Sequence, residues 1–331
     1  MTETTDHPTD RLLSTTIGAV VIGRNEGERL KRCLSALQGR IQCVVYVDSG
    51  STDGSIDEAR ARGAEVVELD IARPFTAARA RNAGVTRLLA LYPDSTAVQF
   101  LDGDCEMREE WLAAAHSELT SEPDIAMVCG RRREKYPEAT IWNRFIDAEW
   151  DTPIGDAMAC GGDSLARLDA LGEVGGFRDS MIAGEEPEMC YRLRQKGWRI
   201  RRIDAEMVWH DAAMTRFSQW WKRARRAGHA YAEGAWLHGS EPERYERQRV
   251  RRAMVWGGVL PVATLCLAVI HPAALAIGLV YPAQVLRLHL RGESWENAAL
   301  LTLAKLPEAL GVLEFHWRRV MRRDARIIEY K

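Results

Sequence analysis

Ala97-Val98-Gln99-Phe100-Leu101-Asp102-Gly103-Asp104 is a short apolar run that ends on two carboxylates one residue apart. A run this short, bounded by turn residues, reads as a buried strand. With Gly103 between them, the two acids can face one cleft if the chain turns there. They then suit a hard cation that takes oxygen ligands and bridges two phosphates. An acid-Gly-acid triplet is also a common surface turn, so its surroundings decide the reading.

Upstream, strands alternate with helices. Residues 16–22 are apolar and β-branched, which predicts a strand. A helix follows over 26–37, with Leu30, Cys33, Leu34 and Leu37 at helical spacing. Residues 42–47 predict a second strand ending at Asp48, Ser51-Thr52-Asp53-Gly54 a turn, and 55–62 a helix. A third strand over 65–69, a helix over 77–91 and a fourth strand over 97–101 complete the series. Such alternation implies βαβ units, a mostly parallel sheet flanked by helices, and ligands at the carboxyl ends of the strands. Asn25 and Glu26, Asp48, and Asp102 with Asp104 all fall at those ends.

The remainder is less regular. Glycine pairs at Gly161-Gly162 and Gly175-Gly176 point to tight turns or close backbone approach to a ligand. Helices are expected over 187–196, with Pro187 at its start, and over 218–237, which is basic and aromatic. Residues 254–290 are the most apolar stretch, broken at His271-Pro272 and flanked by Arg249, Arg251 and Arg252 before and Arg287 and Arg291 after. Basic residues at both ends place both ends on the cytoplasmic side, which a helical hairpin satisfies; a buried hairpin of a soluble protein is the alternative. A further helix over 298–313 leads into Trp317, Arg318, Arg319, Val320, Met321, Arg322, Arg323 and Arg326, a pattern suited to an anionic headgroup layer or to a solvated tail.

Bulk composition narrows the classes. The chain has 331 residues and a net charge of -2, which argues against a nucleic-acid partner. Its 7 cysteines are scattered without a Cys-x-x-Cys pair, as expected of free thiols in a reducing compartment. The polar, acidic start lacks the pattern of a signal peptide, so the catalytic part is expected in the cytoplasm.

Taken together, the motifs resemble the family 2 glycosyltransferases of the GT-A fold over roughly residues 16–235. The residues that carry the resemblance are Val20-Val21-Ile22-Gly23-Arg24-Asn25-Glu26, Val47-Asp48-Ser49-Gly50-Ser51-Thr52-Asp53-Gly54-Ser55 and Ala80-Arg81-Asn82-Ala83-Gly84. Asp102-Gly103-Asp104, Gly161-Gly162-Asp163, Gly175-Gly176-Phe177 and the block from Gly184-Glu185-Glu186-Pro187 to Arg192 follow in order. The resemblance implies an α/β, GT-A-type sheet with a C-terminal hydrophobic helical segment. It also implies a nucleotide-diphosphate sugar donor and a divalent metal, Mg²⁺ or Mn²⁺. Asp48 would contact the nucleobase, with Asn25 and Glu26 in the same pocket; a turn cap on Ser49-Gly50 is the plainer role for Asp48. Arg81 would approach the diphosphate or ribose, and Gly162 would lie at the donor. Asp102 would hold the ribose or a metal water, and Asp104 the metal. A late His completes the metal site in such enzymes, which points to His210, with Asp211 placed to orient its ring.

Glu185-Glu186 stands where the family shows Glu-Asp, the second acid being the general base that deprotonates an acceptor hydroxyl. Glu186 is one methylene longer than the usual Asp, so either Glu185 or Glu186 can be the base. A helix start would keep such a carboxylate acidic unless burial offsets it. Gln219-Trp220-Trp221-Lys222-Arg223 resembles faintly the signature of processive polysaccharide synthases, but the Trp is displaced and single-sugar transfer is the better reading; Trp220 and Trp221 are expected to pack in a core.

The expected organisation is a lead-in over 1–15, a glycosyltransferase domain over 16–240 and a membrane-associating helical region over 241–331. The expected activity is inverting transfer of a sugar to a hydroxyl of a lipid-linked or polysaccharide acceptor at the cytoplasmic face of the inner membrane. Two alternatives are a nucleotidyltransferase that makes the sugar nucleotide and a non-catalytic membrane-tethered relative. The first lacks its glycine-rich phosphate loop at Gly23-Arg24-Asn25-Glu26. Asp102, Asp104, Glu186 and His210 argue against the second.

Overall fold

A computed structural model describes residues Ile17–Met321. The lead-in and the basic residues Arg322, Arg323 and Arg326 lie outside the described residues. The strands are β1 (Ile17–Gly23), β2 (Cys43–Asp48), β3 (Glu65–Glu68), β4 (Ala97–Asp102), β5 (Cys105–Met107), β6 (Ile125–Glu134), β7 (Gly155–Asp156), β8 (Ser164–Arg167) and β9 (Arg199–His210). The helices are α1 (Glu28–Leu37), α2 (Ser55–Ala61), α3 (Ala77–Leu91), α4 (Trp111–Ser121), α5 (Ile141–Glu149), α6 (Leu168–Glu173), α7 (Glu185–Gln195) and α8 (Phe217–His238). They continue with α9 (Arg247–Ile270), α10 (Val280–His289), α11 (Trp295–Leu303) and α12 (Lys305–Val320). The chain forms two compact units: 17–136 with 147–180 and 185–212, and 137–146 with 181–184 and 213–321.

The first unit is an α/β fold on one mixed sheet, ordered β3-β2-β1-β4-β8-β6-β9-β5, with β7 beside β9. β3, β2, β1 and β4 are parallel, as the alternation predicts. β8 then runs antiparallel between β4 and β6. One core layer packs α1 and α4 on the sheet through Leu30, Leu34, Trp111 and Leu119. The other packs α3 and α7 through Leu88, Met189 and Leu193. Gly84 sets the approach of α3: a Cβ there would lie 2.3 Å from Val20 Cγ1. Any larger residue would lift the helix off β1.

In the second unit α8 packs along α12, and a Cβ on Gly311 would lie 2.0 Å from Arg225 O. Small residues at such a crossing let two helix backbones touch. Gln219 begins α8 by accepting hydrogen bonds from the Thr215 and Arg216 amides, both at 2.9 Å. Trp220 is buried against Trp142 and Phe217, so it serves packing, as expected. α9 is one helix from Arg247 to Ile270, 24 residues, or about 36 Å at the usual rise, against a hydrocarbon layer of about 30 Å. Only 6% of its most apolar window is buried. Its turns widen over Met254–Val259, where the ring of Pro261 displaces the carbonyl four residues back. It ends before His271-Pro272 because the residue preceding proline is held extended, here at φ -145° and ψ 115°. A tight 3₁₀ segment, Pro272–Leu279, then leads into α10. The helix expected over 298–313 is two helices, α11 and α12, divided at Ala304.

Candidate active site

Parallel pairing sets three strand ends level, since Gly23 pairs with Asp48 and Ile22 with Asp102. Asp48 is buried. Its Oδ1 accepts the Tyr46 hydroxyl at 3.0 Å, and its Oδ2 accepts the Gly50 and Ser51 amides at 2.8 and 2.7 Å. Both oxygens are thus engaged by the chain in an Asx-type turn. Asn25 sits in the left-handed region at φ 55°. Its side chain accepts the Thr52 amide at 2.7 Å, and its own amide donates to Ser51 Oγ at 2.9 Å. Asn25 and Asp48 therefore clamp the loops after β1 and β2 together. Glu26 pairs with Arg29 at 2.8 Å.

Arg81 projects from α3 into the interior, where Nη2 meets Asp102 Oδ1 at 2.9 Å and Nη1 meets Glu185 Oε1 at 2.7 Å. Arg81 and Glu185 are buried, and one guanidinium ties the end of β4 to the start of α7. Gly162 lies against this bridge. A Cβ there would be 2.7 Å from Arg81 Nη2 and 2.9 Å from an Asp102 oxygen. Gly162→Ala is expected to push the pair apart, destabilise the fold by about 1–3 kcal/mol as overpacking does, and raise the donor KM; an unchanged melting temperature and KM would refute that geometry.

The segment Cys160-Gly161-Gly162-Asp163 joins the parts of the site. Asp163 is fully buried; its Oδ1 accepts the Asp102 amide at 2.9 Å, its Oδ2 accepts the Cys105 thiol at 3.2 Å, and the same oxygen forms an ion pair with Arg132 Nη2 at 2.6 Å. At its other end the Cys160 amide donates to Glu186 Oε1 at 2.8 Å, and the Cys190 thiol donates to the same oxygen at 2.8 Å. Glu186 is buried, and its Oε2 accepts no hydrogen bond among the described residues. Burial raises its pKa above the ordinary glutamate value, opposed by the bonds from Cys190, Cys160 and Gly161. Desolvation therefore outweighs any acidity that a helix start confers.

Asp104 and His210 meet where β5 pairs with β9: Asp104 Oδ1 lies 3.4 Å from His210 Nε2, and both residues are buried. Cys105 completes a group whose ligand atoms lie within 4.8 Å of one another. Two donors each about 2.1 Å from one cation stand roughly 3.0–3.4 Å apart at octahedral or tetrahedral angles, so the carboxylate and imidazole fit a shared divalent ion. Burial and the neighbouring Asp163 carboxylate push the Cys105 thiol well up, and the thiol donates to Asp163 Oδ2. The Asp102 carboxylate is turned to Arg81 instead of this group.

The expected partner of His210 is not the one observed. Asp211 lies 3.3 Å from Arg32 Nη2, and its amide donates to Asp104 O at 3.2 Å. Glu134 Oε2 approaches His210 Nδ1 instead, at 3.8 Å, and the Trp150 ring packs edge-on at 4.7 Å. Asp211 lies just past the end of β9, where Arg32 engages its carboxylate. Glu134, Trp150, Arg132 and the positioning role of Asp163 escape a reading by sequence. Only Asp163, beside the glycine pair, carried a local signal.

Comparison with known proteins accords with this architecture. The glycosyl transferase family 2 model matches residues 19–171, and the glycosyl transferase family group 2 model matches 97–290. The chain belongs to the family 2 glycosyltransferases, and its fold is of the GT-A type. It is 25% identical over 206 residues to the pre-mycofactocin glycosyltransferase of Mycobacterium tuberculosis, a match covering 59% of this chain and 42% of that protein. It is 24% identical over 197 residues to glycosyltransferase AglE of Haloferax volcanii (56% and 63%), and 27% over 223 residues to succinoglycan biosynthesis protein ExoA of Rhizobium meliloti (62% and 66%). The chain thus spans less than two thirds of the length of each of these relatives. Among solved structures, the mannosyltransferase PcManGT of Pyrobaculum calidifontis, in complex with GDP-Man and Mn²⁺, superposes with a TM-score of 0.61 at 18% identity, covering 90% of this chain and 87% of that one.

Proposed function

We propose that the protein is a metal-dependent, inverting glycosyltransferase that moves a sugar from a nucleotide-diphosphate donor to a hydroxyl of a lipid-linked or polysaccharide acceptor. The observation that carries this is the 3.4 Å approach of Asp104 to His210, in the same interior that holds the Arg81 bridge and Glu186. Asp104 and His210 would hold a divalent cation, which when bound neutralises charge on the departing diphosphate. Arg81, already fixed by Asp102 and Glu185, presents its guanidinium toward the donor phosphates. The Asn25–Thr52 and Asp48–Ser51 clamps shape the nucleoside side of the cleft, so Asp48 acts by holding its loop. Glu186 is the better candidate for the base, because Glu185 is committed to Arg81. With Oε1 held by Cys160 and Cys190, Glu186 has Oε2 for the acceptor proton.

Family membership favours sugar transfer over nucleotidyl transfer. The long exposed helix α9, with arginines at its start, supports a place at the cytoplasmic face of the inner membrane. The names of relatives, one of them a succinoglycan biosynthesis protein, support an acceptor of the glycan class. The test is thermal unfolding with GDP or UDP in Mn²⁺, in Mg²⁺ and in EDTA. A nucleotide that binds the folded state through the metal raises the melting temperature only with metal present. Equal stabilisation in EDTA, or none with any nucleotide, would overturn the reading.

A further inference from the structure

We propose that a basic pocket at the start of α9 binds the phosphate of an anionic phospholipid headgroup. The pocket is an open cavity of about 890 Å³ within the second unit. Arg244 reaches it from the loop after α8, Arg247 and Arg251 from the first turns of α9, and His316 from α12; Glu243 is the one carboxylate on its wall. Among the described residues Arg244, Arg247 and Arg251 have no carboxylate partner, and Arg247 has only the Gly239 carbonyl at 3.3 Å. Three arginines on the wall of one concave surface bring like charge together there and favour a phosphate, which Arg binds through paired donors.

Position selects a lipid over a soluble anion. The helix that supplies Arg247 and Arg251 goes on to expose Val259, Leu265, Val269 and Ile270, the last two by 88% and 80%. If that apolar length enters the acyl layer, its arginine-bearing end lies at the headgroups. Trp236, also on the pocket wall, is exposed and carries Arg319 over its ring at 3.8 Å. Aromatic and basic side chains of this kind gather at the membrane–water boundary. The loop itself holds two non-glycine residues in the left-handed region, Arg244 at φ 52° and Glu246 at φ 58°. Such conformations persist only where the surrounding structure imposes them, and they cluster at ligand sites. The inference rests on the membrane reading of α9 and adds the lipid class.

The test is flotation of the full chain with vesicles of phosphatidylcholine alone and with phosphatidylglycerol added. Arg247→Gln/Arg251→Gln is compared with Arg252→Gln/Arg291→Gln, which removes the same charge from outside the pocket, both after thermal unfolding shows an intact fold. The pocket pair is expected to lose about tenfold more apparent affinity for phosphatidylglycerol vesicles than the control pair, with phosphatidylcholine binding unchanged in both. Equal losses would mean diffuse attraction and would overturn the pocket. So would abolition of the phosphatidylglycerol preference by inorganic phosphate, which would make this a free-anion site. Binding to both vesicle types without preference overturns the pocket while leaving the membrane helix standing. No flotation with either removes both readings.

Discussion

Asp104→Ala is expected to lower kcat for sugar transfer by about 10³-fold or more, since withdrawing charge stabilisation of several kcal/mol from a leaving diphosphate costs a decade per 1.36 kcal/mol. The same change should abolish the Mn²⁺-dependent rise in melting temperature with GDP or UDP. The free protein should still fold, because the buried links from Asp163 to Asp102, Cys105 and Arg132 remain when the Asp104 carboxylate is removed. His210→Ala should act in the same direction, and the two losses should not add, since both remove one site. Wild-type turnover in Asp104→Ala would show that the β5–β9 junction holds no catalytic cation.

Glu186→Gln is the second large effect. Removing a general base costs about 10²–10⁴-fold in kcat, whereas the amide can still accept the Cys160 amide through its oxygen. The pH profile supplies the sign. Burial raises the pKa of Glu186 in the folded protein, and the base must be ionised to act. Wild-type kcat/KM should therefore climb with pH along an acid limb above the ordinary glutamate range, and the limb should vanish in Glu186→Gln. Stability runs the other way. The folded pKa exceeds the unfolded one, so the folded state favours the protonated form, and ionisation weakens folding as pH rises through the raised value. At neutral pH Glu186→Gln should melt at or above the wild-type temperature. Glu185→Gln breaks the pair with Arg81 instead, and should raise the donor KM while keeping the acid limb. If the limb disappears in Glu185→Gln and survives in Glu186→Gln, the roles of the two acids are exchanged.

Much of this was legible along the chain. Apolar runs of strand length alternating with helical spacing are enough to demand parallel pairing covered on both faces, and parallel register then carries strand-end residues to a common level. That is why Asn25, Asp48 and Asp102 are legible in the sequence as residues at the carboxyl end of the sheet. The antiparallel insertion of β8 and the split at Ala304 were not visible, because they depend on which neighbour a strand or helix finds. The lead-in and the far end of the basic tail, from Arg322, lie outside the described residues.

Sequence alone determined the layering of the first unit, the end of the sheet that carries the acids and the break at His271-Pro272, since each follows from local periodicity or backbone sterics. Only the tertiary structure decided how adjacent acids divide their work. Consecutive residues on a helix point about 100° apart, so Glu185 and Glu186 meet different surroundings: one finds Arg81, the other the Cys160 amide and the Cys190 thiol. The same holds for His210, whose ring is met by Glu134 and Trp150 rather than by Asp211. A side chain's partner is set by what packing brings to it from distant segments, and no spacing along the chain records that.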